Sequence, residues 1–434
     1  MDGGSIGADG TPGAEDVPVV GPGAPGEEPP AKERELVPLL APAGGVPEVV
    51  TSQRQLQQAV EAIAGGTGPV AVDAERASGY RYGQRAYLVQ LRRAGAGTWL
   101  IDPMACPDLA SLDAVLKDQE WVLHAATQDL PCLADVGLRP TRLFDTELGA
   151  RLVGLPRVGL AAVVEHYLGL SLAKEHSAVD WSTRPLPEPW LRYATLDVEV
   201  LVELRDAIAA DLDQQGKATW AQQEFDALTR FAGPPPRVDP WRRTSGMHRV
   251  RNRRGAALVR ELWLERERVA ADRDVAPGRV LPDQALVELA LTPPGASVEL
   301  PKGKASRLLL RYQQHWLAAL KRGQSLPDSA LPPLTTPSEG PPPARAWADR
   351  DPAAAAALAR ARTALGAFAD DHALPVENLL TPDTLRRVLW QPPVPADPES
   401  VAAALRERGA REWQVHIAAP ILVEALNAPS ELAP

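Results

Sequence analysis

From Pro69 an apolar, β-branched run leads into Asp73-Ala74-Glu75, where two polar positions are set two residues apart. The β-branched Val70 and Val72 make the run a predicted strand that turns Asp73 and Glu75 to one face. Short apolar runs at Tyr87–Leu91, Thr98–Ile101 and Trp121–Leu123 also read as strands, and the spacing over Leu109–Leu116 predicts a helix. The first three strands lie close enough in sequence for an antiparallel meander, after which the helix crosses to a strand that can pair in parallel. His124 to Leu130 is expected to open a helix, with Asp129 in its early part. A longer helical stretch runs through Trp190 to Asp197 and on to Val200, Leu201 and Leu204, so Tyr193 and Asp197 lie one turn apart on one side. Strands alternating with helices from Val49 to about Phe231 predict an α/β domain.

Segments without this periodicity frame the domain. Residues 1–46 are rich in Gly, Pro, Ala and acids and predict a disordered acidic tail, with the α/β domain over 47–232. Past Gly233-Pro234-Pro235-Pro236 the pattern turns helical and basic. A small all-α domain is expected over 237–324, a Pro-rich linker over 325–345 and a second all-α domain over 346–428. In the first, Pro282 and Asp283 suit the opening turn of a helix whose buried stripe is Leu286, Leu289 and Ala290. In the second, Leu380-Thr381-Pro382-Asp383-Thr384-Leu385 echoes Leu281-Pro282-Asp283-Gln284-Ala285-Leu286. Trp241, Trp263 and Trp316 are able to stack on bases, but at helical spacing they read as core.

Charge changes this picture. The chain carries a net −10, yet from Arg237 to Arg322 it holds 18 Lys and Arg against 9 Asp and Glu. Contact with a polyanion is local, so this distribution outranks the total; any single arginine reads as a solvated helix face, while the excess as a whole points to nucleic acid. Two cysteines, Cys106 and Cys132, are too few for a disulfide framework and are expected to be reduced core residues of a cytoplasmic protein. No apolar run reaches the ~18 residues that span a bilayer, and the N-terminus lacks a basic segment followed by an apolar one, so neither membrane insertion nor secretion is expected. No Gly-x-x-x-x-Gly-Lys-Ser/Thr loop and no His-Glu-x-x-His pattern occurs, which leaves out an ATP site and zinc-protease chemistry; Ser177 beside His176 does not make a triad.

Asp73, Glu75, Asp129, Asp197 and Tyr193 remain as candidate chemistry. With Asp and Glu at 56 of 434 residues, each motif alone is expected by chance. Tyr193 alone is a half-buried aromatic, and Asp129 alone is an acid at a helix start. Agreement of order, spacing and context at three places carries the weight. If these groups converge, their hard oxygens suit Mg²⁺ or Mn²⁺. Two such ions stabilise the attacking and leaving oxygens of a phosphodiester.

These residues resemble the DEDDy exonucleases, and within them the ribonuclease D family, over roughly residues 47–430. Asp73-Ala74-Glu75, Asp129 and Tyr193-x-x-x-Asp197 correspond to its three motifs. Tyr87-Leu88-Val89-Gln90-Leu91, Phe144-Asp145-Thr146-Glu147-Leu148 and Asp180-Trp181-Ser182-Thr183-Arg184-Pro185-Leu186 supply family-like context. His124-Ala125-Ala126 departs from the asparagine-containing lead-in of the second motif. The resemblance implies a ribonuclease H-like α/β domain with a mixed sheet, and a cytoplasmic 3′-5′ exoribonuclease that releases nucleoside 5′-monophosphates from RNA 3′ ends, tRNA precursors included. It implies that Asp73 bridges two divalent ions, that Glu75 and Asp197 complete the nucleophile-side ion, and that Asp129 holds the second through water. Tyr193 then orients the attacking water, since a phenol of pKa near 10 is a poor base at neutral pH.

The helical part resembles the HRDC domain, carried by Leu262-Trp263, Arg266-Glu267, Ala270 and Val280 through Ala290, and the family order of one exonuclease domain followed by two HRDC-type domains matches. Gln90, His124, Arg184, Arg251, Arg253 and Arg254 are the candidate nucleic-acid contacts. The basic segment is expected to grip RNA, and removal of everything after Pro236 is expected to spare cleavage of short oligomers. A DNA-directed DEDDy exonuclease is the alternative enzyme. A non-catalytic nucleic-acid adaptor is the alternative of another class, against which the intact five residues speak. Oligomeric state stays open.

Overall fold

The computed structural model describes residues 36–172, 178–293, 304–335 and 340–429; His176, Ser177 and the first 35 residues of the expected tail lie outside them. Its strands are β1 (Val37–Leu39), β2 (Val49–Val50), β3 (Thr67–Arg76), β4 (Ala86–Ala94), β5 (Gly97–Ile101), β6 (Glu120–Leu123), β7 (Arg142–Asp145) and β8 (Leu170–Leu172). A six-stranded sheet runs in the order β2-β5-β4-β3-β6-β7. The predicted meander is β3-β4-β5, antiparallel throughout, and β6 pairs with β3 in parallel, as the crossover through α2 (Ala110–Leu116) requires. The tail ends earlier than expected. Val37 to Leu39 pair in parallel with Leu170 to Leu172, so residues from Leu36 onward belong to the fold.

The remaining helices of this domain are α1 (Gln53–Gly65), α3 (Leu130–Asp135), α4 (Thr146–Val153), α5 (Leu160–Leu168), α6 (Glu188–Glu199), α7 (Leu201–Gln214) and α8 (Ala218–Leu228). Alternation in β3 divides its side chains. Val70, Val72 and Ala74 enter the main core, while Ala71, Asp73 and Glu75 face α6. Small buried residues line the seam between sheet and helix: Ala71 of β3 clusters with Val198 of α6, and Ala194 of α6 with Leu88 of β4 and Leu100 of β5. Asp129 does not lie inside a helix as expected. Ala126–Gln128 form a 3₁₀ turn, and α3 starts only at Leu130 with Asp129 as its cap, because Pro131 has no N–H with which to extend the ladder backwards.

Two helical modules follow. The first holds α9 (Arg253–Asp272), α10 (Pro277–Val280), α11 (Asp283–Leu291), α12 (Lys304–Arg311) and α13 (Gln313–Ser325). After α14 (Trp347–Arg350), the second holds α15 (Pro352–Asp371), α16 (Val376–Leu379), α17 (Pro382–Trp390), α18 (Pro398–Glu407) and α19 (Glu412–Asn427). The sequence echo has a structural counterpart: the first three helices are 20, 4 and 9 residues long in both modules, and each starts the same distance after its counterpart. Trp241 and Trp316 are core residues of the first module, and Trp263 is half-buried against them.

The modules differ in how they are held. The first has a core of its own, drawn from Trp241 to Ala319. The second has none: Trp347, Leu358, Leu365, Trp413 and Leu422 join one continuous core with Leu56, Val72, Phe144 and Phe225 of the α/β domain. Removal of the whole chain after Pro236 would therefore cut into the core of the α/β domain, which corrects the expectation that it spares cleavage of short oligomers. Among the described residues no helix is long and apolar enough to cross a membrane.

Candidate active site

Three separate elements bring the predicted acids together. Asp73 and Glu75 come from the same face of β3, and Asp197 comes from α6 above it; one carboxylate oxygen of each lies within 4.8 Å of the others. Asp129, only 6% exposed, stands outside this trio but close enough for Asp73 and Asp197 to bear on its charge. Tyr193, one turn before Asp197, donates its hydroxyl to the Asp197 carboxylate.

Electrostatics identify what the cluster suits. Burial, opposed by the Ala74 N–H and by Arg76, pushes Asp73 up to about 6. Glu75 is driven well above the usual carboxylate range, first by burial and then by Asp73, Asp197 and Asp129. Asp129 and Asp197 rise for the same reasons, burial first and Asp73 next. Four buried carboxylates, three of them pushed further up by Asp73, form an arrangement that a cation relieves. The donor set fits a hard divalent ion: all the oxygens are carboxylate, and neither imidazole nor thiolate belongs to the trio. Burial, then Asp197, Glu75 and Asp73, push the Tyr193 phenol far above its ordinary value, so it stays protonated and cannot act as a general base.

A residue quoted only as context proves to hold the second motif in place. Asp145, at the end of β7, caps α4 through the N–H groups of Glu147 and Leu148, and the same carboxylate accepts from Ala125 (3.0 Å) and Ala126 (2.9 Å). Ala125 needs that support, because its φ of 58° is left-handed and costs about 1 kcal/mol for a non-glycine residue. This bend delivers the following turn, with Asp129 at its end, to the site. The available signal was an acid directly between an apolar run and a helix start in Phe144-Asp145-Thr146-Glu147.

The candidate nucleic-acid contacts fare unevenly. Arg184 is used inside the fold. Its Nε and Nη2 hold Asp102 at 2.6 and 3.0 Å, Nη1 donates to the Trp181 and Thr183 carbonyls, and Nη2 also donates to Tyr87. All five guanidinium N–H groups are thereby engaged, which leaves none for a phosphate. Gln90 has no exposed surface and cannot touch a strand of nucleic acid. His124 sits 2.9 Å from the Thr146 hydroxyl, and burial pushes it down to about 4, so it is neutral at pH 7. Arg253 donates to the Asp328 and Leu331 carbonyls, and Arg254 to the Gly323, Gln324 and Leu326 carbonyls and the Asp328 carboxylate. Both tie the start of α9 to the turn after α13. Arg251, beside them, is exposed.

Comparison with known proteins agrees with this geometry. The 3′-5′ exonuclease family model matches residues 47–213, the HRDC domain model residues 255–320, and the 3′ to 5′ exonuclease C-terminal domain model residues 340–426. A ribonuclease D of Jannaschia sp. (strain CCS1) is 34% identical over 282 residues, 61% of this chain and 71% of that one. Among solved structures, a protein from Bifidobacterium adolescentis is 39% identical with a TM-score of 0.81, covering 91% of this chain and 100% of that one. Escherichia coli RNase D, an exoribonuclease involved in structured RNA processing, is 25% identical with a TM-score of 0.62, covering 87% of this chain and 98% of that one.

Proposed function

Because the chain belongs to the ribonuclease D family and is a metal-dependent 3′-5′ exoribonuclease, we propose that Asp73, Glu75 and Asp197 hold one divalent ion and that Asp73 and Asp129 hold a second, Mg²⁺ or Mn²⁺. Convergence of three carboxylates from β3 and α6 within 4.8 Å, beside a phenol bonded to one of them, carries this reading. Such ions supply charge for the attacking and leaving oxygens of a phosphodiester. The chain's own groups do the rest. Tyr193 keeps its proton and orients the attacking water with its hydroxyl, and Asp145 fixes the turn that sets Asp129 in place.

The substrate is a structured RNA with an accessible 3′ end, tRNA precursors among them, shortened by one nucleoside 5′-monophosphate at a time. The exposed Arg251 on the first helical module meets its backbone. Two buried, unpaired cysteines accord with a reducing, cytoplasmic setting. Release of the terminal nucleotide from 3′-labelled RNA and DNA, with Mg²⁺, Mn²⁺ or chelator, tests the proposal. RNA cleavage that needs the metal and disappears in Asp73→Ala is the expected result. Equal rates on DNA would favour the DNA-directed alternative, and residual wild-type activity in Asp73→Ala would remove the metal assignment. Tyr193→Phe should lower kcat at least about 10²-fold with RNA affinity nearly unchanged.

A further inference from the structure

Gln90 is a buried polar side chain of the catalytic sheet that the chemistry above does not use. It stands on β4 directly opposite Asp73, so both side chains leave the same face of the sheet, under α6. Its neighbours on that face, Leu88 and Leu100, are fully buried and pack with Ala194 and Leu191 of α6. Gln90 itself is 0% exposed, and among the described residues neither its Nε2 nor its Oε1 has a hydrogen-bond partner. A primary amide withdrawn from water with nothing to bond destabilises a fold, and an apolar residue of the same size would fill the space without that penalty. Such groups persist where a second state of the site uses them.

We infer that Gln90 is a positioning residue for the metal-holding carboxylates, its Nε2 donating to the Asp73 carboxylate when that group turns to hold a cation. This rests on the metal reading given above. The chemistry of an amide suits the task better than that of a charged donor. Nε2 fixes one carboxylate oxygen by hydrogen bonding, yet it brings no positive charge to compete with the ion. The second N–H and the Oε1 acceptor remain available to the water that accompanies an ion.

Gln90→Met keeps the length of the side chain and removes both polar ends. Two measurements decide the matter, the melting temperature of metal-free protein and Mn²⁺ affinity by calorimetric titration in the absence of RNA. Gln90→Met is expected to melt about 2–4 °C higher than wild type and to bind Mn²⁺ about 10-fold more weakly. A lower melting temperature would show that the amide already has a partner and would overturn the inference. A higher melting temperature with unchanged Mn²⁺ affinity would leave Gln90 a buried polar group without function and would overturn it equally. Should methionine overpack the site, Gln90→Leu puts the same question with a shorter side chain. Wild type and Asp197→Asn serve as references. Mn²⁺ binding that Asp197→Asn does not weaken would sink the metal reading itself, whereas binding that Asp197→Asn abolishes and Gln90→Met leaves untouched would sink only the role of Gln90.

Discussion

The two helical modules share a frame and differ in what they do with it. Each ends its long first helix with a left-handed non-glycine residue, Asp274 at φ 46° and Ala373 at φ 45°, and each leans on the catalytic domain through that corner. In the first module the corner contact is polar and exposed. Arg81 pairs with Asp274 at 3.8 Å, Arg279 donates to the Gly79 carbonyl and lies over the Tyr80 ring, and Ala276 donates to the Tyr80 carbonyl. In the second module the corner is closed. The buried Lys217 ammonium donates to the Leu152 and His372 carbonyls at 2.7 and 2.5 Å, and a Cβ on Gly154 would meet the Ala373 oxygen at 2.2 Å. The interiors diverge in the same sense. Arg266 is buried against Asp283 at 2.6 Å in the first module, and the corresponding positions of the second are Leu365 and Pro382. The second module is part of the enzyme's core, and the first is a docked unit with a core of its own. Resemblance between repeats therefore says little about which of them the catalytic fold depends on.

That contrast can be broken by substitution, and the largest effect is expected at Trp413. Its ring stacks on Trp220 of α8 with centroids 4.8 Å apart, and its indole N–H donates to Glu224. Trp413→Ala should cost about 3–5 kcal/mol and lower the melting temperature of the catalytic domain and second module together. A loss confined to the second module in hydrogen exchange would refute the shared core. Gly154→Ala comes next, at about 2–3 kcal/mol, because its φ of 100° is left-handed and the added methyl meets a backbone oxygen.

Acidity sharpens the comparison from the other side. Burial alone would raise Glu265 in the first module, but hydrogen bonds from Arg268, His315 and Arg322 prevail and hold its carboxyl at about 2. Its folded value lies below the unfolded one near 4.5, so its stabilisation is present above pH 4.5 and disappears as pH falls through 2. Asp73 runs the opposite way, from 3.8 unfolded to about 6 folded, so in metal-free protein its contribution is full below 3.8 and is lost as pH rises through 6. Calorimetry of metal-free protein should show the first module melting apart from the rest near pH 3 and the two transitions closer together at pH 7. The smallest effect is expected from Arg279→Ala, below about 1 kcal/mol, visible as faster proteolysis of the loop at residues 77–85 with little change in melting temperature.

Legibility in the sequence followed the strength of local pattern. The central strands were readable because a β-branched run in β3 leads into carboxylates set two residues apart, and Tyr193 with Asp197 because one helical turn separates them. Strands β1, β2 and β8 span only two or three residues, too few for a period to emerge, and they depend on partners distant in the chain. Asp129 was placed in the wrong element, since Asp145, which bends the chain at Ala125, lies across a neighbouring strand. Arg184 looked like a substrate contact because sequence shows a charge and hides its partners. The fused core of the second module was unreadable for a similar reason: an apolar stripe tells that a helix is covered, not by what.

Asp73 and Glu75 lie on an early strand, Asp197 comes from a helix more than a hundred residues later, and the core is closed only by α19 at the far end of the described chain. A polypeptide emerges from its ribosome in that same order. The acids are all in place in the chain once α6 has been made, but the core that holds their scaffold waits for α19, so a chain stopped between the two carries the cutting groups without their full support.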